Sequence, residues 1–235
     1  MTEKRATPQK RLAILDAAAR AISEHGFHGM TLRALAAATG QSLANFYNYF
    51  DSKEEVLYEI QRTAFESMIE ATREAVDQEA TPEGKLYAFL LQHVRYVAAH
   101  RDAMRVLVHE ARALPANERA AVRRLKERYY EIVRGIVADL YRNGCGAPDA
   151  SGAEPDAREL EHLTYGVFGM VNWLYGWYQP SRHGPPADVA RSLHSLVLCG
   201  LVSRCPRRVV QRRTDVERRL GDAPVPLFGL RAAGR

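Results

Sequence analysis

The sequence has few cysteines, and their spacing excludes several classes of protein. It contains three in 235 residues, Cys145, Cys199 and Cys205, and no two of them form a CxxC pair. Disulfide-rich secreted domains and cysteine-based zinc sites need more cysteines at closer spacing. The pattern therefore predicts a protein of the reducing cytoplasm without a metal site.

Long apolar runs are also absent. No run approaches the roughly 18 residues that mark a membrane-spanning helix. The opening residues "MTEKRATPQKR" contain no apolar signal-peptide core. We therefore expect no membrane partner. Apolar residues nonetheless make up 46% of the chain, which is typical of a folded globular protein.

A generally basic surface is missing, although the formal net charge is +5. The segment from Arg204 to Arg235 holds nine arginines and three acidic residues, and the rest of the chain holds 24 basic and 25 acidic residues. Any binding of nucleic acid must therefore depend on a local patch. The composition of residues 204–235, rich in arginine and proline, predicts a flexible tail.

Strand signals are lacking, because apolar residues recur at helical three- and four-residue spacing along most of the chain. The expected fold class is all-α. The first helix should begin after the Thr7-Pro8 cap, where proline suits the first helical position. The three N-terminal helices are predicted at about 8–25, 31–39 and 42–50.

A capping box, Ser52 with Glu55, is expected to open a long fourth helix that runs to about Glu79. Five more helices follow. A loop at "NGCGAPDASGAEP" (143–155) lies between the third and the fourth of them. They are predicted at about 81–100, 102–112, 116–141, 156–178 and 187–202. This organisation predicts a three-helix, helix-turn-helix head at 1–52, a larger helical body at 53–203, and the tail at 204–235.

The stretch "GQSLANFYNYFDSKEE" (40–55) mixes asparagines with four aromatic residues. At 100° per residue, Phe46 and Phe50 fall within about 40° of each other and can pack inward. Ala44, Asn45, Tyr47 and Asn48 fall on the opposite arc, as expected of a helix that contacts base edges in a DNA major groove. The alternative is a small helical core with a solvated polar face.

Residues 11–57 resemble the N-terminal domain of TetR-family transcriptional regulators. The family pattern is met by Gly26-Phe27, Thr31, Gly40, Ser42, Phe46, Tyr47, Tyr49, Phe50, Lys53 and Glu54. Two residues depart from the pattern: Gln41 replaces a small aliphatic residue and Ala44 replaces a frequent glycine, so the operator cannot be inferred from relatives. The resemblance implies a homodimeric repressor of double-stranded DNA that is released by a small apolar effector.

On this basis we predict that base and phosphate contacts come from the helix-turn-helix and the start of the fourth helix. The predicted DNA-binding residues are Thr31, Arg33, Gln41, Ser42, Leu43, Ala44, Asn45, Tyr47, Asn48, Tyr49 and Lys53.

Three further motifs, "NWLYGWYQP" (172–180), "HEARALP" (109–115) and "RYY" (128–130), are similar to those of a TetR subgroup associated with fatty-acid and steroid degradation. That resemblance implies an acyl-CoA effector. An apolar pocket with a few polar groups suits such a ligand. The candidate effector-binding residues are Phe89, His93, Tyr96, Met104, Val108, Arg112, Tyr129, Phe168, Asn172 and Trp173.

The two last helices are expected to form a four-helix interface in the dimer. Gly166, Gly169 and Gly176 would allow a partner helix or a ligand to approach closely. Trp173 is predicted either at this interface or in the pocket wall. The predicted interface residues are Val167, Val171, Leu174, Trp177, Leu193, Leu196, Val197 and Gly200.

Two other functions remain open. One is a TetR-like repressor of an efflux pump that senses hydrophobic drugs. The other is a small-molecule-binding helical protein, or an enzyme, with a structural head. The sequence contains no convincing nucleophile–base pair, phosphate loop or metal cluster, so we expect neither an enzyme nor a bound cofactor beyond the effector.

Overall fold

The computed structural model describes residues 8–142, 156–201 and 221. Thr7 of the predicted first cap, the loop 143–155 with Cys145, and nearly all of the tail 204–235 with Cys205 lie outside the described residues. The described part of the chain is helical, as expected from its apolar spacing. Its helices are α1 (Pro8–His25), α2 (Leu32–Ala38), α3 (Leu43–Phe46), α4 (Lys53–Asp77), α5 (Pro82–Ala99), α6 (Arg101–His109), α7 (Ala116–Leu140), α8 (Ala157–Asn172), α9 (Leu174–Trp177), α10 (Pro180–His183) and α11 (Pro186–Leu201).

The helices are distributed over two compact units. The first unit comprises Met1–Glu66 and His100–Lys126, and the second comprises Ser67–Ala99 and Glu127–Arg235. The unit that carries the helix-turn-helix thus extends past the predicted boundary at residue 52. It includes the start of α4, all of α6 and the start of α7. A compact unit is defined by contacts between distant segments of the chain, and the apolar periodicity of the sequence does not predict such contacts.

The third helix is shorter than predicted. It covers only Leu43–Phe46, after which the chain continues in tighter turns to Phe50. The amide of Asn48 bonds to the carbonyl of Asn45, and that of Tyr49 to the carbonyl of Phe46, each three residues back. Such bonds commonly tighten the last turn of a helix.

The helix predicted at 156–178 is also interrupted. It is divided at Trp173 into α8 and α9, and α10 follows. The amide of Gly176 bonds to the carbonyl of Trp173, again three residues back, at 3.0 Å. The tight turn changes the direction in which residues after Trp173 project, so one helical wheel cannot describe the whole segment.

The predicted capping box is half confirmed. Ser52 Oγ accepts a hydrogen bond from the amide of Glu55 at 3.0 Å, as expected. The Glu55 carboxylate instead accepts from the amide of Asp51, at 2.7 Å, one residue before the predicted donor. The same carboxylate lies 3.4 Å from Arg11, so it serves both the helix start and a contact with α1.

The core of the first unit lies where α1, α2 and the α3 region meet. Leu15, Leu35, Phe46 and Phe50 are all buried there. Gly26 ends α1 with a positive φ of 74°, a conformation that favours glycine. That turn directs the chain towards α2.

The second unit is organised around α5, whose residues from Leu86 to Leu91 are all buried. The terminal helix α11 packs against α5, and His194 Nε2 lies 2.9 Å from the carbonyl of Glu83. The Tyr87 ring meets the same histidine edge-on. Within the described residues, no helix is both long enough and apolar enough to cross a membrane.

Candidate DNA interface and effector site

Two side-chain caps define the helix-turn-helix. Thr31 Oγ1 accepts from the amide of Ala34 at 3.1 Å at the start of α2, and Ser42 Oγ accepts from the amide of Asn45 at 3.2 Å at the start of α3. Between the two helices, Gly40 has a φ of 69°. Serine and threonine are favoured at such positions because their oxygens satisfy free helix donors. The caps and the glycine fix the angle at which α3 leaves α2.

The residues around α3 are sorted by face as predicted. Phe46 and Phe50 are buried, and their ring centroids lie 5.4 Å apart. On the opposite side, Tyr47 is 51% exposed, and Ala44 and Asn48 are exposed too. The phenylalanines therefore attach the segment to the core and leave a polar face outward.

Three amide side chains form a continuous chain along this outward face. Asn45 Nδ2 donates to Gln41 Oε1, and Asn48 Nδ2 donates to Asn45 Oδ1 at 3.3 Å. Gln41 Nε2 in turn reaches the carbonyl of Thr39 at 3.4 Å. Gln41, which departs from the family pattern, thus orients the Asn45 side chain.

Arg11 of α1 holds the C-terminal side of this segment. Its guanidinium lies 4.3 Å from the centre of the Phe50 ring and donates to the carbonyl of Tyr49. It also lies 3.4 Å from the carboxylates of Glu55 and Glu59. Nothing in the sequence around Arg11 indicates these contacts, because its partners are 38 to 48 residues away.

Two opposing effects act on the pKa of the Glu59 carboxyl group. Burial raises its pKa, but hydrogen bonds and charge from Arg62 and Arg11 outweigh burial and leave the pKa below its usual value. The Glu59 carboxylate is therefore the ionised partner that Arg11 and Arg62 share on α4.

Lys53 and Tyr49, two further predicted DNA-binding residues, also make contacts within this unit. Lys53 Nζ donates to the carbonyl of Met30 at 3.1 Å and lies 4.5 Å from the centre of the Phe27 ring. Tyr49 is buried, with Lys10 over its ring. The other predicted contacts lie at or near the surface of this unit; Leu43, Gln41 and Asn45 are half-buried, and the exposed ones are Thr31, Arg33, Ser42, Ala44, Tyr47 and Asn48.

In the second unit, an aromatic cluster brings together four predicted effector residues. The ring centroid of Phe89 lies 5.9 Å from those of His93, Tyr129 and Phe168. Tyr130 extends the cluster by stacking on Phe168 at 6.0 Å. Helices α5, α7 and α8 each contribute rings, so an apolar ligand entering here would meet aromatic surfaces on several sides.

A buried polar chain passes through this cluster. Tyr129 hydrogen-bonds with Thr72, and its hydroxyl lies 3.0 Å from His93 Nδ1. Burial lowers the pKa of His93 to about 4, although the backbone of Val171 favours the charged form. Burial likewise raises the pKa of the Tyr129 hydroxyl. Both groups are therefore neutral near pH 7.

Sequence reasoning missed Gln92 and Thr72, which line the same small space as His93, Tyr96 and Tyr129. The space among these side chains is too small for a water molecule. A detectable signal was present for Gln92: it is a polar residue beside His93 on a helix that is otherwise largely apolar between residues 86 and 97.

The remaining predicted effector residues do not join the cluster. Asn172 is exposed and Trp173 is 62% exposed, with its ring edge-on to Tyr175. Met104, Val108 and Arg112 belong to the first unit, where Met104 is buried and the other two are exposed. Within the described residues, no group of three or more His, Cys, Asp or Glu side chains could hold a metal ion.

The predicted dimer interface needs a correction. Val167, Val171, Leu174 and Val197 are buried within their own unit, at most 5% exposed, and therefore belong to its core. Periodicity located the apolar stripe of α8 but could not show that it faces inward. An outward stripe lies beside it, and its members are Tyr165, Gly166, Gly169, Trp173 and Trp177.

Two other members of the predicted interface are at least partly exposed in the described part of the chain. Leu196 on α11 is 63% exposed, and Leu193 is half-buried. Gly200 lies in the last turn of α11. A Cβ atom added at Gly166 or Gly169 would meet nothing within 4 Å in the described part of the chain.

Two family models match the chain. The model described as "Bacterial regulatory proteins, tetR family" matches residues 14–60, and "Tetracyclin repressor-like, C-terminal domain" matches residues 79–201. Together they cover the helix-turn-helix and most of the remaining helices.

Curated relatives are similar over most of their length. The chain is 27% identical over 196 residues to the HTH-type transcriptional repressor KstR2 of Rhodococcus jostii (strain RHA1), which covers 83% of this chain and 92% of that protein. It is 26% identical over 135 residues to the fatty acid metabolism regulator protein of Bacillus subtilis (strain 168), covering 57% of this chain and 70% of that protein.

Solved structures share the fold. The regulator PfmR from Thermus thermophilus matches with a TM-score of 0.68 and 29% identity, over 79% of this chain and 96% of that chain. AibR in complex with isovaleryl coenzyme A and operator DNA matches with a TM-score of 0.67 and 22% identity, over 80% and 97%. With the helix-turn-helix geometry and a C-terminal model that spans more than half of the sequence, these matches establish that the chain belongs to the TetR family of bacterial transcriptional regulators.

Proposed function

We propose that this TetR-family regulator is a homodimeric repressor that leaves a palindromic operator when an acyl-CoA binds its second unit. The observation that carries the proposal is the outward face of the α3 region, where Gln41, Asn45 and Asn48 are linked amide to amide above buried phenylalanines. Amide side chains are suited to adenine in the major groove, where they can both donate and accept.

The effector class is supported by the relatives and by the aromatic cluster. KstR2 is named a repressor, the Bacillus protein is named a regulator of fatty acid metabolism, and AibR has been crystallised with isovaleryl coenzyme A. Phe89, Tyr129 and Phe168 offer the apolar, aromatic surroundings that an acyl chain requires.

Dimerisation through α8, α9 and α11 is supported by their exposed apolar side chains. Trp173, Trp177 and Leu196 are large and exposed, and the glycines on the α8 stripe leave space for another helix. Two-fold symmetry of the dimer would match a palindromic operator.

Release requires that the effector bind more tightly to a conformation with low DNA affinity. The effect on DNA binding can be no larger than the ratio of the effector's affinities for the two conformations. A tenfold change in operator affinity therefore needs about 1.4 kcal/mol of differential effector binding.

The test is a titration of the protein–operator complex, with operator sites first recovered by selection from genomic DNA. CoA esters of increasing acyl length are compared with the corresponding free fatty acids and with lipophilic cations. Each additional buried CH₂ is worth up to about 0.8 kcal/mol, so two more carbons should improve release roughly tenfold until the pocket is filled.

Two outcomes separate the proposed function from its alternative. Release by CoA esters, weakened at high salt where basic side chains meet phosphate, supports the proposal. Release by lipophilic cations alone contradicts it and favours the repressor of an efflux pump. Substitutions Trp173→Ala and Arg112→Ala then show whether these exposed residues contribute to release without altering operator binding.

A further inference from the structure

The small space in the second unit brings polar groups together inside an apolar region. Thr72, Gln92, His93 and Tyr129 line it, and Met68 contributes an apolar wall. Thr72, His93 and Tyr129 are each at most 3% exposed. Buried polar side chains are costly unless they are hydrogen-bonded, so their convergence at one place needs an explanation.

Gln92 Oε1 is among the buried atoms of this group that lack a hydrogen bond to the described part of the chain. Gln92 Oε1 is buried, and no hydrogen-bond donor reaches it from the residues that the structure describes. Leaving a buried acceptor without a hydrogen bond is unfavourable. Water does not provide the bond, because the space is too small to hold a water molecule.

We propose that the effector carries a hydroxyl group on its acyl chain, and that Gln92 and the Thr72–Tyr129–His93 chain bind this hydroxyl. The inference rests on the proposed function, since it specifies which acyl esters that site recognises. A hydroxyl both donates and accepts, so it can satisfy the Gln92 amide and exchange a hydrogen bond with Tyr129 at the same time.

The lining also excludes an anionic group at this position. His93 is neutral because burial lowers its pKa to about 4, and none of the described residues that line the space is a lysine or arginine. A carboxylate or phosphate placed here would be buried without a counter-charge. The polar chain therefore recognises a neutral substituent, and the charged CoA portion must lie elsewhere.

The ligand-free space must widen to admit such a chain. Met68 has three rotatable bonds in its side chain and can be displaced more easily than a ring. Gln92 is half-buried and is likewise long and unbranched. Both can move while the hydrogen bonds among Thr72, Tyr129 and His93 stay formed.

The experiment uses the full-length protein bound to its operator and CoA esters of one acyl length. Octanoyl-CoA is compared with esters in which a single hydroxyl, or a single oxo group, is placed at successive carbons of the same chain. For the parent protein we expect one hydroxylated ester to release DNA at an about tenfold lower concentration than octanoyl-CoA, the effect of one well-placed buried hydrogen bond.

Two variants test which residues bind the hydroxyl group of the ester. In Gln92→Leu and in Tyr129→Phe, the ratio between the plain and hydroxylated esters should fall towards one. Tyr141→Phe is the matched control, because the Tyr141 hydroxyl donates to Glu159 and does not line the space, and the variant should keep the parent ratio. Operator binding without ester, measured for each variant, reports whether it is folded.

The outcomes separate this inference from the function on which it rests. If CoA esters release the DNA but hydroxylation at every position is without effect, or an oxo ester is preferred, the hydroxyl inference is overturned and the proposed function stands. If no CoA ester in the series binds or releases the complex, the proposed function fails and the inference fails with it.

Discussion

Asn45 donates a side-chain hydrogen bond to Gln41, four residues earlier, and thereby connects the end of the turn between α2 and α3 to the outward polar face of the α3 region. Asn48 extends this connection by donating to Asn45. Because the amides are already ordered, less side-chain entropy remains to be lost when the protein binds its operator.

Asn48→Ala should weaken specific operator binding by about 1–3 kcal/mol, because Asn48 is a predicted base contact. Gln41→Ala should have a smaller effect, since Gln41 is half-buried and its loss mainly frees Asn45. Fluorescence anisotropy with selected operator and with random DNA measures both. Unchanged helix content by circular dichroism is the control, and operator binding equal to that of the parent would contradict the assignment of this face.

Lys53→Ala should weaken binding to operator and random DNA alike, and should lower the slope of log affinity against log salt by about one. Lys53 also bonds to the carbonyls of Phe27 and Met30, so the variant should unfold more readily. Lys85→Ala in α5 provides the matched loss of charge. A salt slope that is unchanged in Lys53→Ala would show that this residue is only structural.

Arg11→Ala should reduce the free energy of unfolding by about 1–3 kcal/mol. It removes a charge-assisted hydrogen bond to the Tyr49 carbonyl and a cation–π contact with Phe50. Arg20→Ala is the control, because Arg20 forms an exposed pair with Asp16 on the same helix, and exposed pairs contribute little. Urea denaturation of both variants measures the two free energies of unfolding. Equal losses of stability would show that the contacts of Arg11 do not stabilise the unit.

Leu196→Glu should convert the dimer to a monomer while the chain stays folded. The side chain is 63% exposed within its own chain, so the charge disturbs no core, but in a dimer it would lie in an apolar interface. Sedimentation at several concentrations measures the change, with the exposed Arg73→Glu as control. An unchanged dimer would place the interface elsewhere.

The buried His93 predicts a specific dependence of stability on pH. Its folded pKa of about 4 lies below the ordinary 6.5, so between these values the unfolded chain binds a proton that the folded chain excludes. The free energy of unfolding should therefore fall as the pH drops from 6.5 to 4, by up to about 1.4 kcal/mol per pH unit from this group.

His93→Gln removes the titrating group and should flatten the stability profile in that window. Urea denaturation at half-unit pH steps compares the variant with the parent. Parallel profiles for the two proteins would mean that His93 does not titrate differently in the folded state.

The sequence was sufficient for the helices and for the two faces of the α3 region, because both depend on local spacing. Phe46 and Phe50 are one turn apart, and their burial follows from that spacing once the segment is helical. The end of α3 and the break at Trp173 were missed, since tight three-residue turns leave no compositional signal.

Contacts between distant segments were the second feature that the sequence could not predict. Arg11 reaches Tyr49 and Phe50 across some 40 positions, and nothing local marks it. The inward stripe of α8 was likewise predicted to be a dimer interface. An apolar stripe indicates that another surface packs against the helix, but only the tertiary structure shows which surface that is. For Val167 and Val171 that surface is their own unit.

Around α3, the residues that stabilise the fold and the residues that are exposed to a partner are different ones, although they lie close together in the sequence. Phe46 and Phe50 contribute to the stability of the first unit, whereas Ala44, Tyr47 and Asn48 contribute almost none of the buried contacts. Under the proposed function, exchanges at the outward positions alter which operator is recognised at little cost in folding. Members of one lineage could acquire new target genes by changing three or four side chains, and the same positions are the natural choice for a library that retargets this regulator.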